Sequence, residues 1–259
     1  MLIQFYRFKD WYKSIGIFIL GLTLKLDVFS LVSLIIPVSI AAHTFSINNY
    51  FDYFIKGEKN VVKNLVKKYD KRVLFSLCIL PLFPLFLYPY PNLRVILLVI
   101  LIIIFADSYS CPPTRFKENG IFGLIMSSIC GALFFLIGYF HNNEFLTQES
   151  IFLSIVFFNY LLISEVIHQL SDPSEKLNSL PKILGFKRTK KIAKFIVLMA
   201  CFIAICFLFF SYPLYPSVSL VFSLVRFIRL SKTKNYKWLR DHLYGLHEGI
   251  SYLILNFLS

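Results

Sequence analysis

Two polar clusters 120 residues apart interrupt an otherwise apolar chain: Asn48-Asn49-Tyr50-Phe51-Asp52 and His168-Gln169-Leu170-Ser171-Asp172. A charged side chain within a membrane segment costs about 3 kcal/mol even on the mildest scales, so such groups persist where a metal, a partner or a ligand uses them. Asn48, Asp52 and Lys56 are spaced i, i+4, i+8 and share one helical face. His168, Asp172 and Lys176 repeat that spacing, and Glu165 joins their stripe one turn earlier. Pro173 is placed to end the second helix soon after Asp172, releasing Glu175 and Lys176 into a loop. Two acidic helix ends facing one another suit Mg²⁺, which is commonly held by one or two carboxylates together with substrate phosphates. Lysine and arginine nearby would take the remaining phosphate charge. Spacing alone leaves a plainer reading open, in which these are polar helix ends resting in the headgroup layer.

The elements that must position these groups are membrane helices. Hydrophobic residues make up 57% of the chain and its mean hydropathy is +0.68, which excludes an ordinary soluble domain. Apolar segments fall near 14–24, 28–47, 73–90, 95–109, 120–140, 150–167, 192–211, 213–228 and 245–258, with Phe and Tyr spread along most of them. The net charge of +13 follows these segments rather than forming a nucleic-acid surface. If the N-terminus is cytoplasmic, 25 of the 27 Lys and Arg lie on the inside face, and only Lys25 and Arg94 fall outside. The positive-inside rule then predicts nine transmembrane helices. The expected fold is therefore all-α: a single polytopic membrane domain over residues 1–259, integral to the cell membrane if the source is prokaryotic. The lysine-rich loops are expected to touch anionic lipids.

The chain also reads as a loose duplication, roughly 1–118 and 119–245 plus a last helix. Each half places an acidic helix end and then a basic loop on the inside face, an arrangement that puts a site at the interface of repeats. The remaining polar groups carry less. The five cysteines form no CxxC pair and four of them lie in or beside apolar runs, where they serve as small packing residues. His43, inside a span, is expected to bond across helices. Asp107 is expected to cap a helix or to pair with a loop arginine. No GxxxxGK[ST], HExxH or GxSxG pattern occurs, so the enzyme classes that depend on them lose support.

Several of these pieces together resemble the UbiA superfamily of membrane prenyltransferases. That family's first motif has the form N-[DNQ]-x-x-D-x-x-x-D, and Asn48-Asn49-Tyr50-Phe51-Asp52 matches its first five positions. Asp172 matches the first Asp of the second motif, D-x-x-x-D. Ser179-Leu180-Pro181-Lys182-Ile183-Leu184-Gly185 is similar to the segment that follows it. Arg7-Phe8-Lys9-Asp10-Trp11 and Tyr109-Ser110-Cys111-Pro112-Pro113-Thr114-Arg115-Phe116-Lys117 agree in order and place. The chain departs at the second Asp of each motif, where Lys56 and Lys176 stand and Glu175 is the nearest acidic substitute.

The resemblance implies helices around a central cavity open to the bilayer, and transfer of an isoprenyl group from an isoprenyl diphosphate to a lipophilic, often aromatic acceptor. It implies Mg²⁺ held by Asn48, Asp52, Asp172 and Glu175. Asn48, Asn49, Arg115, Lys117, His168, Glu165 and Lys176 would lie against substrate, and Asp52, Asp172 and Lys56 would act on the reaction. Two alternatives stay open: a degenerate member that binds an isoprenoid or anionic lipid without turnover, and an isoprenoid cyclase on the same scaffold.

Overall fold

The computed structural model describes residues 2–23, 31–57, 60–173, 178–209, 213–233, 235–236, 239 and 246–258. Thirteen α-helices occur among them: α1 (Leu2–Tyr6), α2 (Tyr12–Leu22), α3 (Ile35–Lys56), α4 (Val62–Leu65), α5 (Lys71–Ile79), α6 (Phe83–Leu87), α7 (Leu93–Ser110), α8 (Gly120–Asn142), α9 (Gln148–Ser171), α10 (Leu180–Leu184), α11 (Phe186–Leu208), α12 (Leu214–Lys232) and α13 (Leu246–Leu258). Five of these, α7, α8, α9, α11 and α12, are long and apolar enough to cross a membrane. They expose rows of large apolar side chains, such as Leu93, Leu97, Ile100 and Ile104 on α7 or Phe195 and Phe202 on α11. Such rows suit a lipid surface and are far beyond what a soluble monomer leaves bare.

Local chemistry explains where the elements begin and end. Asn92 and Asn119 accept backbone N–H bonds at the starts of α7 and α8, and Thr147 with Ser150 forms a capping box on α9. The helix α3 tolerates Pro37 because its first-turn N–H groups have no intrahelical acceptor. It stops at Gly57, whose φ of +70° turns the chain left-handed while its N–H closes on the carbonyls of Asp52 and Tyr53. The apolar segment near 73–90 does not form one helix. Pro81 and Pro84 lack the N–H that helix continuation needs, and the segment breaks into α5, a 3-10 turn over Leu80–Leu82, and α6.

Packing runs round a ring. The helix α8 lies against α2, α7 and α9; α9 continues to α11, α11 to α12, α12 to α13, and α13 returns to α2. The tightest contact joins α2 and α8. A Cβ added at Gly21 would stand 2.2 Å from the Phe135 carbonyl oxygen, and one at Gly138 would stand 2.2 Å from that of Phe18. Glycines on both helices let the two backbones approach so closely. Across the ring, His43 of α3 bonds the Cys78 carbonyl at the end of α5 and the Asp107 carboxylate in α7, both at 2.8 Å. Asp107 thus pairs with a helix histidine rather than capping a helix or meeting a loop arginine, because α7 continues through Asp107 to Ser110. A buried ion pair, Arg226 with Glu248, joins α12 to α13, and Tyr252 donates to the same glutamate at 2.7 Å.

Candidate functional site

Five helices enclose the site. The side chains of α2, α3, α7, α8 and α9 surround a largely apolar cavity of about 300 Å³, lined by Ile17, Ile40, Phe45, Ile102, Met126, Cys130, Phe134 and Leu161, with the charged Asp10 and Lys13 also on its wall. That volume lies at the lower bound of small-molecule sites, which run from ~300 to ~1,000 Å³. A second, polar compartment of about 220 Å³ adjoins it, lined by Arg7, Asn48, Asp52, Lys56, Ser110 and Lys117. Thr44, Phe45, Tyr109, Glu165 and His168 line both compartments and mark the place where they meet. The whole is a cavity with a greasy end and a charged end, which is the shape of an amphiphile.

The charged end is built by α3 and by the connection from α7 to α8. The i, i+4, i+8 spacing does bring Asn48, Asp52 and Lys56 to one face, and all three line the polar compartment. Because Gly57 ends the helix, Lys56 stands in the last turn, where the helix dipole favours a cation. The connection comes from the left-handed Arg115, φ 37°, and a 3-10 turn over Phe116–Glu118. Lys117, 7% exposed, contacts both the Asp52 carboxylate and the Asn48 side-chain oxygen. Ser110 donates to that Asn48 oxygen at 3.3 Å.

Arg115 sits behind this contact. It donates to Asp52 at 3.2 Å, to Glu118 at 2.9 Å and to the Phe51 carbonyl at 3.3 Å. Lys56 lies 3.6 Å from Glu118, so the same glutamate serves Arg115 and Lys56. Burial pulls the Lys117 ammonium below its usual pKa, and the Asp52 carboxylate opposes that pull. Cys111, at the end of α7, is pushed up to about 12 by burial, which removes it as a nucleophile at neutral pH.

A bracket of hydrogen bonds fixes this connection against the chain that follows α9. Asn119 and Asn178 form an isolated parallel bridge, with Asn178 N–H donating to Glu118 and Gly120 N–H donating to Asn178. A Cβ at Gly120 would stand 2.2 Å from the Asn178 carbonyl oxygen, so glycine is needed there. Gln169 of α9 completes the bracket. It donates to the Gly120 carbonyl at 3.2 Å and accepts from Leu180 N–H at 2.8 Å.

The structure sorts the residues expected from the sequence. Asn48, Asp52, Lys56, Lys117, Glu165 and His168 come together on the polar compartment. Asn49 points away, donating to the Phe5 carbonyl at 2.9 Å and so anchoring α1. Arg115 supports Asp52 from outside the lining. Asp172 caps the C-terminus of α9 at an exposed position and is not part of the lining. Glu175 and Lys176 lie outside the described residues. Arg7 lines the compartment, bonded to Asp10 at 2.7 Å and lying 5.0 Å over the Phe45 ring. Its place in the segment before the first apolar run was the signal for it. Among the described residues no group of three or more His, Cys, Asp or Glu is arranged to hold a metal ion.

Comparison with known proteins agrees with this architecture. Residues 14–241 match the UbiA prenyltransferase family. The chain is similar to a UbiA homolog from Archaeoglobus fulgidus solved with DMAPP and Mg²⁺, at 15% identity and a TM-score of 0.79, covering 99% of this chain and 98% of that one. The same homolog bound to GPP and Mg²⁺ gives the same values. A structure described for digeranylgeranylglyceryl phosphate synthase is similar at 15% identity and a TM-score of 0.67, covering 99% and 96%. No curated protein matches the chain.

Proposed function

Because this chain belongs to the UbiA prenyltransferase family, we propose that it transfers an isoprenyl group from an isoprenyl diphosphate to a lipophilic acceptor. The observation that carries this reading is the two-part cavity, in which a cationic compartment opens onto an apolar one at Tyr109, Glu165 and His168. The diphosphate lies among Arg7, Lys56 and Lys117, and the isoprenyl tail runs between α2, α3, α7, α8 and α9. As the C1–O bond breaks, the diphosphate leaves with the electron pair, and the fixed cations stabilise the charge that develops on it. The apolar walls keep water from the allylic cation. The acceptor's nucleophilic atom then bonds to C1, and Glu165 with His168, at the junction, receives the proton the acceptor gives up.

The Archaeoglobus homolog was solved bound to DMAPP or GPP together with Mg²⁺. The residues of the first cluster here do not fit such an ion. The Asn48 and Asp52 oxygens that would ligate it face the Lys117 ammonium, and the next position on their face is a lysine. The steps above therefore run through the chain's own side chains.

The same reading places the protein in a membrane as nine crossing segments with a cytoplasmic N-terminus, supported by the charge distribution and by the closure of the ring from α13 to α2. To test the activity, purified protein in detergent is given isoprenyl diphosphates of several lengths and a panel of lipophilic acceptors, with and without Mg²⁺. Released diphosphate with an acceptor adduct is the expected result. Binding without release under every combination would favour a degenerate lipid-binding member instead, and release without an acceptor would favour a cyclase.

A further inference from the structure

We infer that this site binds its diphosphate with the protein's own cations and needs no divalent metal to do so. The inference rests on the prenyltransferase reading above and concerns how the same compartment recognises its anion. Asn48 and Asp52 lie one helical turn apart and point one oxygen each at a common place. The Lys117 ammonium occupies that place, in contact with both. Arg115 reaches the same Asp52 oxygen at 3.2 Å. Asp52 thus acts as the counter-ion for two cations, Lys117 in the lining of the compartment and Arg115 behind it.

For a divalent ion to use those two oxygens, Lys117 must leave them. Lys117 is 7% exposed and comes from a turn pinned by the Asn119–Asn178 bridge, so its backbone has little freedom to withdraw. Stripping its partner would leave a buried, uncompensated ammonium, the costly outcome of breaking a buried pair. The lining points the same way. Among the described residues it carries three cations, Arg7, Lys56 and Lys117, and two carboxylates, Asp52 and Glu165, with Asp10 and Glu118 paired to Arg7 and Lys56. Three cationic side chains on one compartment can contact a diphosphate directly. An acidic pocket would first have to be neutralised by metal.

The test is binding of geranyl diphosphate to the full chain in detergent, followed by titration calorimetry after metal removal with EDTA and again with saturating Mg²⁺. The expected affinities differ by less than about tenfold, which is 1.4 kcal/mol. Inorganic diphosphate in the same two buffers reports the headgroup alone, and binding in EDTA supports the inference there too. Binding that is lost in EDTA and restored by Mg²⁺, for either ligand, overturns the inference while leaving the prenyltransferase reading intact. Absence of geranyl diphosphate binding in both buffers overturns the prenyltransferase reading itself.

Discussion

Replacing Lys117 with methionine removes one charge while keeping an unbranched stem of similar length in the buried turn. Lys117 contacts Asp52 and Asn48 and lines the polar compartment, so a bound diphosphate meets its ammonium directly. A hydrogen bond to a charged group contributes about 1.5–3 kcal/mol. Its loss also leaves the Asp52 carboxylate compensated by Arg115 alone, and at ~4 Å such a charge repels an anion by roughly 1–4 kcal/mol, depending on how much water screens it. Taking values near the low end of each range gives about 3 kcal/mol, or roughly a hundredfold weaker binding. The assay is calorimetric titration with geranyl diphosphate in EDTA, with thermal melting in the same detergent to confirm that the variant is folded. Lys117→Arg retains the charge and is expected to stay within about tenfold of the parent. A folded Lys117→Met protein that binds within threefold of the parent would refute the reasoning, since Lys117 would then be a structural counter-ion for Asp52 and no contact of the ligand.

Three further outcomes follow from other parts of the molecule. Burial sets the free-state pKa of Lys117 below 10.5, and a bound anion raises it, so diphosphate affinity falls as pH rises through that free-state value; titrations with rising pH should show this limb below pH 10.5, and Lys117→Met should lack it. Gly138→Ala drives a Cβ into the backbone of α2, and because backbone rather than a flexible side chain must yield, the loss should reach or exceed the ~3 kcal/mol upper end for overpacking, read as a lowered melting temperature in detergent. Arg226→Met leaves Glu248 buried without its ion-pair partner and should cost about 3–5 kcal/mol, whereas Arg226→Met combined with Glu248→Met should recover most of that loss; a double variant no more stable than the single would show that the pair contributes net stability.

The elements that the sequence made legible are those governed by local rules. The i, i+4, i+8 spacing placed Asn48, Asp52 and Lys56 on one face because a regular helix leaves no other choice, and α3 runs unbroken through all three. His43 bonds across helices as its apolar surroundings required. Other features depend on contacts between distant segments and leave no local trace. Asn49 neighbours Asn48 in sequence, yet a rotation of about 100° per residue sends it toward Phe5 rather than the cavity. The role of Gln169 is legible only once the chain folds, because both of its partners are backbone groups, of Gly120 and Leu180. The break in the 73–90 segment was signalled by Pro81 and Pro84, but hydropathy, which ignores N–H donors, passes over it.

The lysine at position 56 makes physical sense once Lys117 is placed. Helix spacing fixes where the groups on α3 stand and leaves their sign open. A face of carboxylates needs bridging metal to bind a diphosphate, whereas the face here ends in Lys56, beside a carboxylate already engaged by Lys117 and Arg115, and is proposed to meet the anion unaided. That arrangement depends on α3, on its Gly57 stop and on the pinned turn at Arg115–Glu118, which together hold charge at a fixed distance from the apolar compartment. A fold kept at 15% identity to a Mg²⁺-bound homolog is therefore compatible with a different way of supplying positive charge. On the proposal made above, the side chains at positions 56 and 117 supply as ammonium groups the positive charge that a metal would otherwise bring.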